Sequence, residues 1–383
     1  MGLARELRRM GYEARVLGPC DGPPPASFVS PLGNSLPTAS NGSIAPIAPD
    51  PAAQLRTIRV LIEEDFDVLH LHEPLAPGPT ETALFLHPAP IVATFHAAGE
   101  SNGYKYLWAP LRKLADNIAR RVVVSKDALA LIEESLGGEY ELLFNGVELD
   151  RYRTAEPCDA AGEKVGRTIF FCGRHEERKG LGVLLTAFAE LPDDVRLLIG
   201  SNGPDTKSLR AAVGEHARIE WLGRLTDADK IAHLRSADVF CAPSLHGESF
   251  GVVLIEAFAA GTPVVASALD GYRNVATNEV DALLVDPGDA GKLAAALRRV
   301  LDDAALADRL RAAGQARADD FSMTTLATLY AAIYEELAAE RIARRAARDA
   351  EPQSRVSRWR RTLGRMMHAV PVRQLPVQTS SGG

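Results

Sequence analysis

The sequence lacks any apolar run long enough to cross a membrane. Its longest apolar stretch, residues 251–266 of 383, is interrupted by Glu256, Gly261 and Pro263, whereas a membrane-spanning helix needs about 20 consecutive apolar residues. Residues 1–20 carry charges throughout and contain no apolar core of a secretory signal. We therefore expect a cytoplasmic protein, and we leave open a peripheral contact with the inner face of the plasma membrane.

Cysteine is also scarce. The four cysteines lie far apart along the chain and form no C-x-x-C pair; they are Cys20, Cys158, Cys172 and Cys241. Their spacing excludes a disulfide-rich scaffold and a zinc site built from paired cysteines. Scattered cysteines in a long chain are typical of a reducing compartment, which agrees with the expected cytoplasmic location.

Acidic residues are few at the carboxyl-terminal end. Residues 341–383 carry a charge of +8, although the whole chain carries −7 and the first 340 residues carry −15. An acidic body argues against a nucleic-acid partner for the globular part. Between Ser354 and Val370, apolar residues recur every three or four positions among arginines, which predicts a basic amphipathic helix. Such a helix either lies on an anionic membrane surface or packs against the acidic body.

Apolar runs alternate with helical patterns roughly every 25–35 residues, which is the rhythm of βα units. The polar stretch 150–166 indicates a linker. We therefore predict an α/β protein of two doubly wound, Rossmann-like domains that face a cleft, at residues 1–160 and 161–325. A C-terminal helix at 326–350 and a basic amphipathic tail at 351–383 are expected to follow. The predicted strands are Glu13–Leu17, Val68–Leu71, Ile91–Phe95, Arg121–Val124, Thr168–Cys172, Arg196–Ile199, Val239–Ala242 and Pro263–Ser267.

One glycine-punctuated segment, residues 247–261, combines a loop with a buried helix. It reads G-E-S-F-G-V-V-L-I-E-A-F-A-A-G and places Glu248 and Glu256 eight residues apart. The positive N-terminus of the helix favours an anionic group, and carboxylates accept hydrogen bonds from sugar hydroxyls. The pattern therefore suits a nucleotide sugar. The alternative is a buried helix with two incidental acids, which is disfavoured because a glutamate is almost never buried without a partner.

Charged side chains follow two other predicted strands. Arg174 and Lys179 come directly after the Thr168–Cys172 strand, where two cations can stabilise a leaving diphosphate without a metal; the alternative is an ordinary charged loop. His96 ends the Ile91–Phe95 strand, where its ring either contacts a ligand or serves a structural role. His70, His72 and Glu73 form an H-x-H-E cluster. We do not predict a metal site there, because the sequence offers no third ligand with suitable spacing.

The segment 247–261 and the residues after it resemble the donor-site signature of family 4 retaining glycosyltransferases with the GT-B fold. The resemblance extends from residue 1 to about residue 335. Within this family the sequence is most similar to the phosphatidylinositol mannosyltransferases of actinobacteria. The other matching segments are D-F-D-V-L-H-L-H-E-P (65–74), I-V-A-T-F-H (91–96), N-G-V-E (145–148), G-R-H-E-E-R-K-G (173–180) and S-A-D-V-F-C-A-P (236–243).

This resemblance implies transfer of mannose from GDP-mannose to a phosphatidylinositol-type lipid, with retention of configuration, by a front-side mechanism and without a metal or cofactor. It implies catalytic roles for His96, Arg174, Lys179 and Glu248. The implied donor-binding residues are Gly173, Arg174, Lys179, Asp227, Lys230, Glu248, Ser249, Phe250, Gly251 and Glu256. Within this set Glu248 would contact the sugar, Glu256 the ribose, Arg174 and Lys179 the diphosphate, and Asp227 and Lys230 the guanine. The implied acceptor-binding residues are Asn41 and Ser43.

Two alternatives stay open: a UDP-sugar-dependent hexosyltransferase of the same fold with another acceptor, and an inactive nucleotide-binding remnant. The second arises because members of this family begin with a strand and a glycine-rich loop that cradles the donor diphosphate. Residues 2–12 read as the helix that follows that loop. We therefore expect a fragment or a misassigned start. We also expect residues 21–50, which are rich in proline, serine and glycine, to form a long loop.

Overall fold

The computed structural model describes residues 1–40, 43–96, 109–158 and 166–350. Residues Met1–Leu337 form one compact unit, and the second unit, Ala338–Gly383, is described only at its helical beginning. In the described ranges, no helix has the length and apolar character needed to cross a membrane. The predicted tail at 351–383 lies outside the described residues.

Strands and helices alternate along the chain. The strands are β1 (Val16–Pro19), β2 (Val29–Gly33), β3 (Leu36–Ser40), β4 (Ser43–Ile47), β5 (Leu69–His72), β6 (Ile91–Phe95), β7 (Ile118–Val123), β8 (Glu141–Leu142), β9 (Arg167–Cys172), β10 (Val195–Gly200), β11 (Ile219–Gly223), β12 (Val239–Ala242), β13 (Val264–Ser267) and β14 (Leu283–Val285). The helices are α1 (Gly2–Arg9), α2 (Pro51–Glu63), α3 (Pro79–Leu86), α4 (Ala109–Ala115), α5 (Lys126–Leu136), α6 (Leu149–Arg153), α7 (Leu181–Phe188), α8 (Thr206–Val213), α9 (Asp227–Ser236), α10 (Val252–Ala260), α11 (Asp270–Arg273), α12 (Ala290–Asp302), α13 (Ala304–Asp319) and α14 (Met323–Ala350).

The larger sheet is parallel and doubly wound. Its strand order is β11-β10-β9-β12-β13-β14, so the chain starts in the middle and winds outward in both directions. One face is covered by α9 and α10, and the other by α7 and α12. In such a sheet ligands bind beyond the carboxyl ends of the strands where the order reverses. Here that point lies between β9 and β12.

Among its described residues, the amino-terminal half contains three further sheets. Strands β5, β6, β7 and β8 pair in that order and are parallel, β1 and β2 form a parallel pair, and β3 and β4 form an antiparallel pair. All five residues of β6 are buried, because helices cover both faces of this strand. One of those helices is the long carboxyl-terminal helix α14.

Helix α14 packs on the amino-terminal sheet rather than on the larger one. Four of its buried residues form a cluster with Val92 of β6 and Val122 of β7, and they are Leu326, Tyr330, Ile333 and Leu337. These residues recur at three- and four-residue steps, so they form one face of the helix. The chain therefore returns to its first sheet after completing the second.

The predicted strands Ile91–Phe95 and Val239–Ala242 coincide with β6 and β12, and the other predicted strands overlap observed strands with shifted ends. The expectation of a long loop over residues 21–50 is wrong, because β2, β3 and β4 lie there. Pro37 and Pro46 face each other across the β3–β4 pair. Two prolines can face each other only at a non-hydrogen-bonded position, since neither has an N–H to donate. A two-stranded ribbon provides such positions, so the prolines do not exclude strands.

Candidate functional site

The loop 243–251 joins β12 to the N-terminus of α10 at the point where the strand order of the larger sheet reverses. Gly251 precedes the helix with a φ of 92°, a conformation that favours glycine. Phe250 is buried and packs edge-to-face on Phe321, with ring centroids 5.7 Å apart. The side chain of Asn274 donates a 3.2 Å hydrogen bond to the carbonyl of Ser249. These contacts fix the loop on the rest of the fold.

The carboxylate of Glu248 is held by two cations and a hydroxyl. Lys179 Nζ donates to Glu248 Oε1, Ser244 Oγ donates to the same atom at 3.0 Å, and Arg178 Nη1 lies 3.5 Å from it. Ser244 also contacts the hydroxyl of Tyr272 at 3.0 Å. Burial, and then the charge of Glu248, raise the pKa of Tyr272, so its phenol stays protonated. Glu248 is therefore oriented by these contacts and only partly exposed.

The charged turn after β9 carries three cations and two acids, Glu176 and Glu177. The carboxylate of Glu176 lies between two of the cations: Arg174 Nε is 3.3 Å from Oε2, and Arg178 Nε is 2.7 Å from Oε1. The second contact is an ion pair without a well-aligned hydrogen bond. We define Arg174, Arg178, Lys179, Glu176 and Glu248 as the switch-point cluster. Its positive charge exceeds its negative charge by one, and the exposed Glu177 of the same turn balances this excess.

Glu256 lies in α10, one turn beyond the helix start. Its Oε1 accepts two hydrogen bonds of 2.7 Å, one from Lys230 Nζ of α9 and one from the hydroxyl of Tyr152 of α6. Burial, followed by the negative charge of Glu256, raises the pKa of Tyr152, which keeps the phenol a donor. The second predicted carboxylate is thus held by side chains from two other helices.

The predicted guanine-binding pair occupies two different environments. Asp227 has a side chain that is 75% exposed, and one of its oxygens is 3.5 Å from Arg151. Lys230, by contrast, is paired with Glu256. Thr226 caps α9 in a reciprocal capping box with Asp229, so the acidic first turn of this helix also has a structural role. The contact of either residue with guanine stays a prediction.

His96 lies at the carboxyl end of β6 and contacts a second histidine. Its Nε2 is 2.9 Å from Nδ1 of His72, its backbone N–H donates to Glu73 Oε1 at 2.6 Å, and its ring bonds the side chain of Asn145. Burial lowers the pKa of His96, although Glu73 and Asn145 oppose this effect. Burial and the neighbouring His96 lower the pKa of His72 to about 3, although solvent reaches this ring. Both rings are therefore neutral at pH 7.

His70 and His72 lie on the same face of β5, as strand alternation predicts, with ring centroids 4.4 Å apart. His70 uses both ring nitrogens, one with the hydroxyl of Tyr334 at 2.5 Å and the other with Thr94 Oγ1 at 2.7 Å. It therefore has no nitrogen left for a metal. Over the described ranges, no group of three or more metal-ligating side chains is found.

The structure brings the predicted donor-site residues of the larger sheet into two groups, one at the switch-point cluster and one around Glu256. Gly173 lies at the end of β9 beside the first group. The predicted acceptor residue Asn41 lies outside the described residues, and Ser43 begins β4 without a described side chain. The sequence analysis missed residues that support the two carboxylates. They are Tyr152, Arg178, Ser244 and Tyr272.

Solved structures share this architecture. A sucrose-phosphate synthase from Thermosynechococcus elongatus aligns with a TM-score of 0.67 over 88% of this chain and 92% of its own, at 22% identity. WaaG, a glycosyltransferase involved in lipopolysaccharide biosynthesis, aligns with a TM-score of 0.59 over 87% of this chain and 94% of its own, at 18% identity. The fold is therefore the predicted α/β GT-B fold.

Family models and curated relatives match the sequence along most of its length. Residues 1–151 match Glycosyltransferase Family 4, and residues 160–317 match Glycosyl transferases group 1. The phosphatidyl-myo-inositol mannosyltransferase of Mycobacterium leprae is 41% identical over 88% of this chain and 91% of its own length. That of Mycolicibacterium smegmatis is 41% identical over 83% of each. This chain is a glycosyltransferase and belongs to the phosphatidyl-myo-inositol mannosyltransferase family.

Proposed function

We propose that this enzyme transfers mannose from GDP-mannose to a phosphatidylinositol-type lipid at a membrane surface. Relatives with about 40% identity over most of the chain carry the corresponding name, which supports both the sugar and the acceptor class. The similarity to these relatives does not by itself identify the nucleotide base of the donor. The choice of GDP therefore rests on Asp227 and Lys230 and needs a direct test.

The observation that carries the proposal is the pair of oriented carboxylates near the start of α10, each held by a lysine. Glu248 pairs with Lys179, and Glu256 pairs with Lys230. A donor diphosphate bound at the helix start would displace Glu176 and Glu248 from Arg174, Arg178 and Lys179, because phosphate carries more charge than a carboxylate. The released Glu248 then accepts hydrogen bonds from sugar hydroxyls, and Glu256 accepts them from the ribose. Ser249, Phe250 and Gly251 supply the backbone that approaches the phosphates.

The reaction needs no charged side chain on the far face of the sugar. The bond between the anomeric carbon and the diphosphate oxygen breaks, the acceptor hydroxyl forms the new bond on the same face, and its proton passes to the leaving phosphate. Arg174 and Lys179 stabilise the charge that develops on that phosphate. His96 is neutral at pH 7, since burial lowers its pKa, so it acts as a hydrogen-bond partner of the sugar or the phosphate rather than as an acid.

A lipid acceptor requires contact with a membrane, and the amino-terminal half offers a surface for it. Leu55 and Ile62 of α2 are 66% and 59% exposed. They lie on the same face of the helix, two turns apart, and Arg56 and Arg59 lie beside them. Helix α3 packs beside α2 and exposes Phe85. Exposed apolar side chains with neighbouring arginines suit an anionic membrane surface. The basic tail at 351–383 is a second candidate for this contact.

Titration calorimetry of the full chain with GDP and with UDP tests the donor. We expect GDP-selective binding that Glu256→Ala weakens about tenfold or more, whereas Glu220→Ala, at an exposed ion pair with Arg196, leaves it unchanged. Transfer of labelled mannose from GDP-mannose to vesicles that contain phosphatidylinositol then tests the acceptor. UDP-selective binding would instead favour the hexosyltransferase alternative, and binding of neither nucleotide would favour the inactive remnant.

A further inference from the structure

Tyr152 connects the short helix α6 to a carboxylate of the donor site. Its ring is 6% exposed and belongs to the core cluster between α6, α9 and α10. Its hydroxyl donates a 2.7 Å hydrogen bond to Glu256 Oε1. A buried phenol needs a partner for its hydroxyl, and here the partner belongs to the residue expected to contact the nucleotide ribose.

Two donors occupy the same oxygen of Glu256. Lys230 Nζ also lies 2.7 Å from Oε1. In the part of the chain that the structure describes, Oε2 of Glu256 accepts no hydrogen bond. A carboxylate with one oxygen held by two donors cannot rotate without losing both bonds. The other oxygen is thereby presented to a ligand in one orientation.

Tyr152 and Lys230 contribute differently to this orientation. The lysine ammonium sits on a flexible stem, so it can follow a carboxylate that moves. The tyrosine ring is fixed by packing, and its hydroxyl stays protonated because burial and the charge of Glu256 raise its pKa. The phenol is thus the rigid donor of the two. A phenylalanine would fill almost the same volume, so the hydroxyl is not needed for packing alone.

We propose that Tyr152 is a positioning residue for ribose recognition. It holds Oε1 of Glu256 so that Oε2 accepts hydrogen bonds from the vicinal hydroxyls of the nucleotide ribose. This inference rests on the proposed donor site around Glu256. It does not depend on the base, since GDP and UDP carry the same ribose.

The test compares nucleotides with and without ribose hydroxyls on the full chain. Dissociation constants are measured for GDP, UDP and their 2′,3′-dideoxy forms with the wild type and with Tyr152→Phe. We expect the variant to bind the preferred ribonucleotide about three- to tenfold more weakly. We expect no difference between the variant and the wild type for the matching dideoxynucleotide, because it has no hydroxyl for Glu256 to bind.

Tyr140→Phe is the matched control, because it removes a hydroxyl that contacts the backbone carbonyl of Gly137 and the side chain of Arg121 in the amino-terminal half. It should leave all four constants unchanged. Equal losses for ribo- and dideoxynucleotides in Tyr152→Phe, or no loss for either, would overturn the positioning role. A wild type that prefers UDP would contradict the GDP-mannose proposal but leave the ribose comparison intact. A wild type that binds neither nucleotide would contradict both.

Discussion

The ring of His72 lies 2.9 Å from the ring of His96, Nδ1 to Nε2. Two imidazoles at this distance share one proton, so one ring donates and the other accepts. Burial lowers the pKa of each, which keeps both neutral at pH 7. The tautomer of His96, and hence which hydrogen bond it can offer a substrate, is therefore coupled to that of His72.

Folding stability should decrease below neutral pH because of these rings. The pKa of His72 is about 3 in the folded protein, against an ordinary value near 6.5. Between these values the unfolded chain binds the additional proton, so stability falls as the pH falls through this window. We expect the thermal midpoint of the wild type to drop between pH 7 and pH 5, and to drop less in His72→Asn. The difference stays below about 1.4 kcal/mol per pH unit, which is the limit for a single proton, and solvent access to the ring reduces it further.

His87→Asn is the control, because His87 is exposed and its ring contacts the carbonyl of Phe85 two residues away. It should show the pH dependence of the wild type. The slope in His72→Asn should shrink without disappearing, since burial lowers the pKa of His70 and His96 in the same direction. Identical slopes in all three proteins would contradict the assignment of this window to His72.

Replacement of Arg174 should affect the diphosphate selectively. We expect Arg174→Gln to weaken binding of GDP about tenfold, because it removes a charge-assisted hydrogen bond. Binding of GMP should change less than about twofold, since its single phosphate lies farther from the turn after β9. Calorimetry with both nucleotides measures the ratio, and Arg196→Gln, at an exposed pair with Glu220, is the control. A parallel loss for GMP would show that Arg174 does not contact the second phosphate.

Replacement of Glu248 should have opposite effects on catalysis and on nucleotide affinity. In Glu248→Gln the sugar loses an ionised acceptor, and we expect kcat for mannosyl transfer to fall about 100-fold or more. Lys179 and Arg178 lose the anion that now neutralises them, so GDP should bind up to a few-fold more tightly. Steady-state kinetics and calorimetry separate the two effects. A fall in both would indicate that the variant disturbs the loop instead.

Two glycines with the same φ allow the strain of a left-handed backbone to be separated from the steric clash of an added Cβ. Gly180 and Gly214 both have a φ of 68°, but a Cβ on Gly180 would lie 1.9 Å from the carbonyl oxygen of Pro243, whereas a Cβ on Gly214 would meet nothing within 4 Å. We expect Gly214→Ala to lower the free energy of unfolding by about 1 kcal/mol. Gly180→Ala should lower it by a further 1–3 kcal/mol or so and abolish activity, because the loop 243–251 must move. Urea titration measures both, and equal losses would contradict the close approach.

Sedimentation with vesicles distinguishes the two candidate membrane-binding surfaces, the exposed face of α2 and the basic tail. If the exposed face of α2 inserts into the bilayer, then replacing Leu55 and Ile62 together by glutamate should abolish sedimentation with anionic vesicles, because charges are costly to bury in lipid. Deletion of residues 352–383 should then reduce sedimentation only in part. Leu142→Glu, at an exposed position in β8, is the matched control. Unchanged sedimentation of the α2 variant, with full loss on deletion of the tail, would place the contact on the tail.

The sequence predicted Glu248, Glu256, Arg174 and Lys179 because each lies in a short local pattern beside a strand end or a helix start. The supporting residues were missed since their roles depend on tertiary contacts. Tyr152 is 104 positions from Glu256 in the chain, and nothing in the segment around it marks the hydrogen bond. Arg178 was read as part of an ordinary charged turn, although its guanidinium reaches Glu248.

The fold was predictable where apolar periodicity is strong, as in β6 and β12. It was not predictable between residues 21 and 50, where proline content indicated a loop and strands formed as small separate pairs. The contact of Lys230 with guanine stays a prediction, and the structure adds a physical constraint to it. Its ammonium is paired with Glu256 before any nucleotide is bound, so its contact with a base would have to compete with that ion pair.

The packing of α14 has a consequence for dissecting the enzyme. Leu326, Tyr330, Ile333 and Leu337 cover Val92 and Val122, although some 200 residues of chain separate the two sets. An amino-terminal half produced alone would therefore expose the apolar surface around Val92 and Val122. A carboxyl-terminal half produced alone would expose the apolar face of α14. Studies of either half in isolation need residues 323–337 grafted onto the first half, since the boundary in sequence is not the boundary in packing.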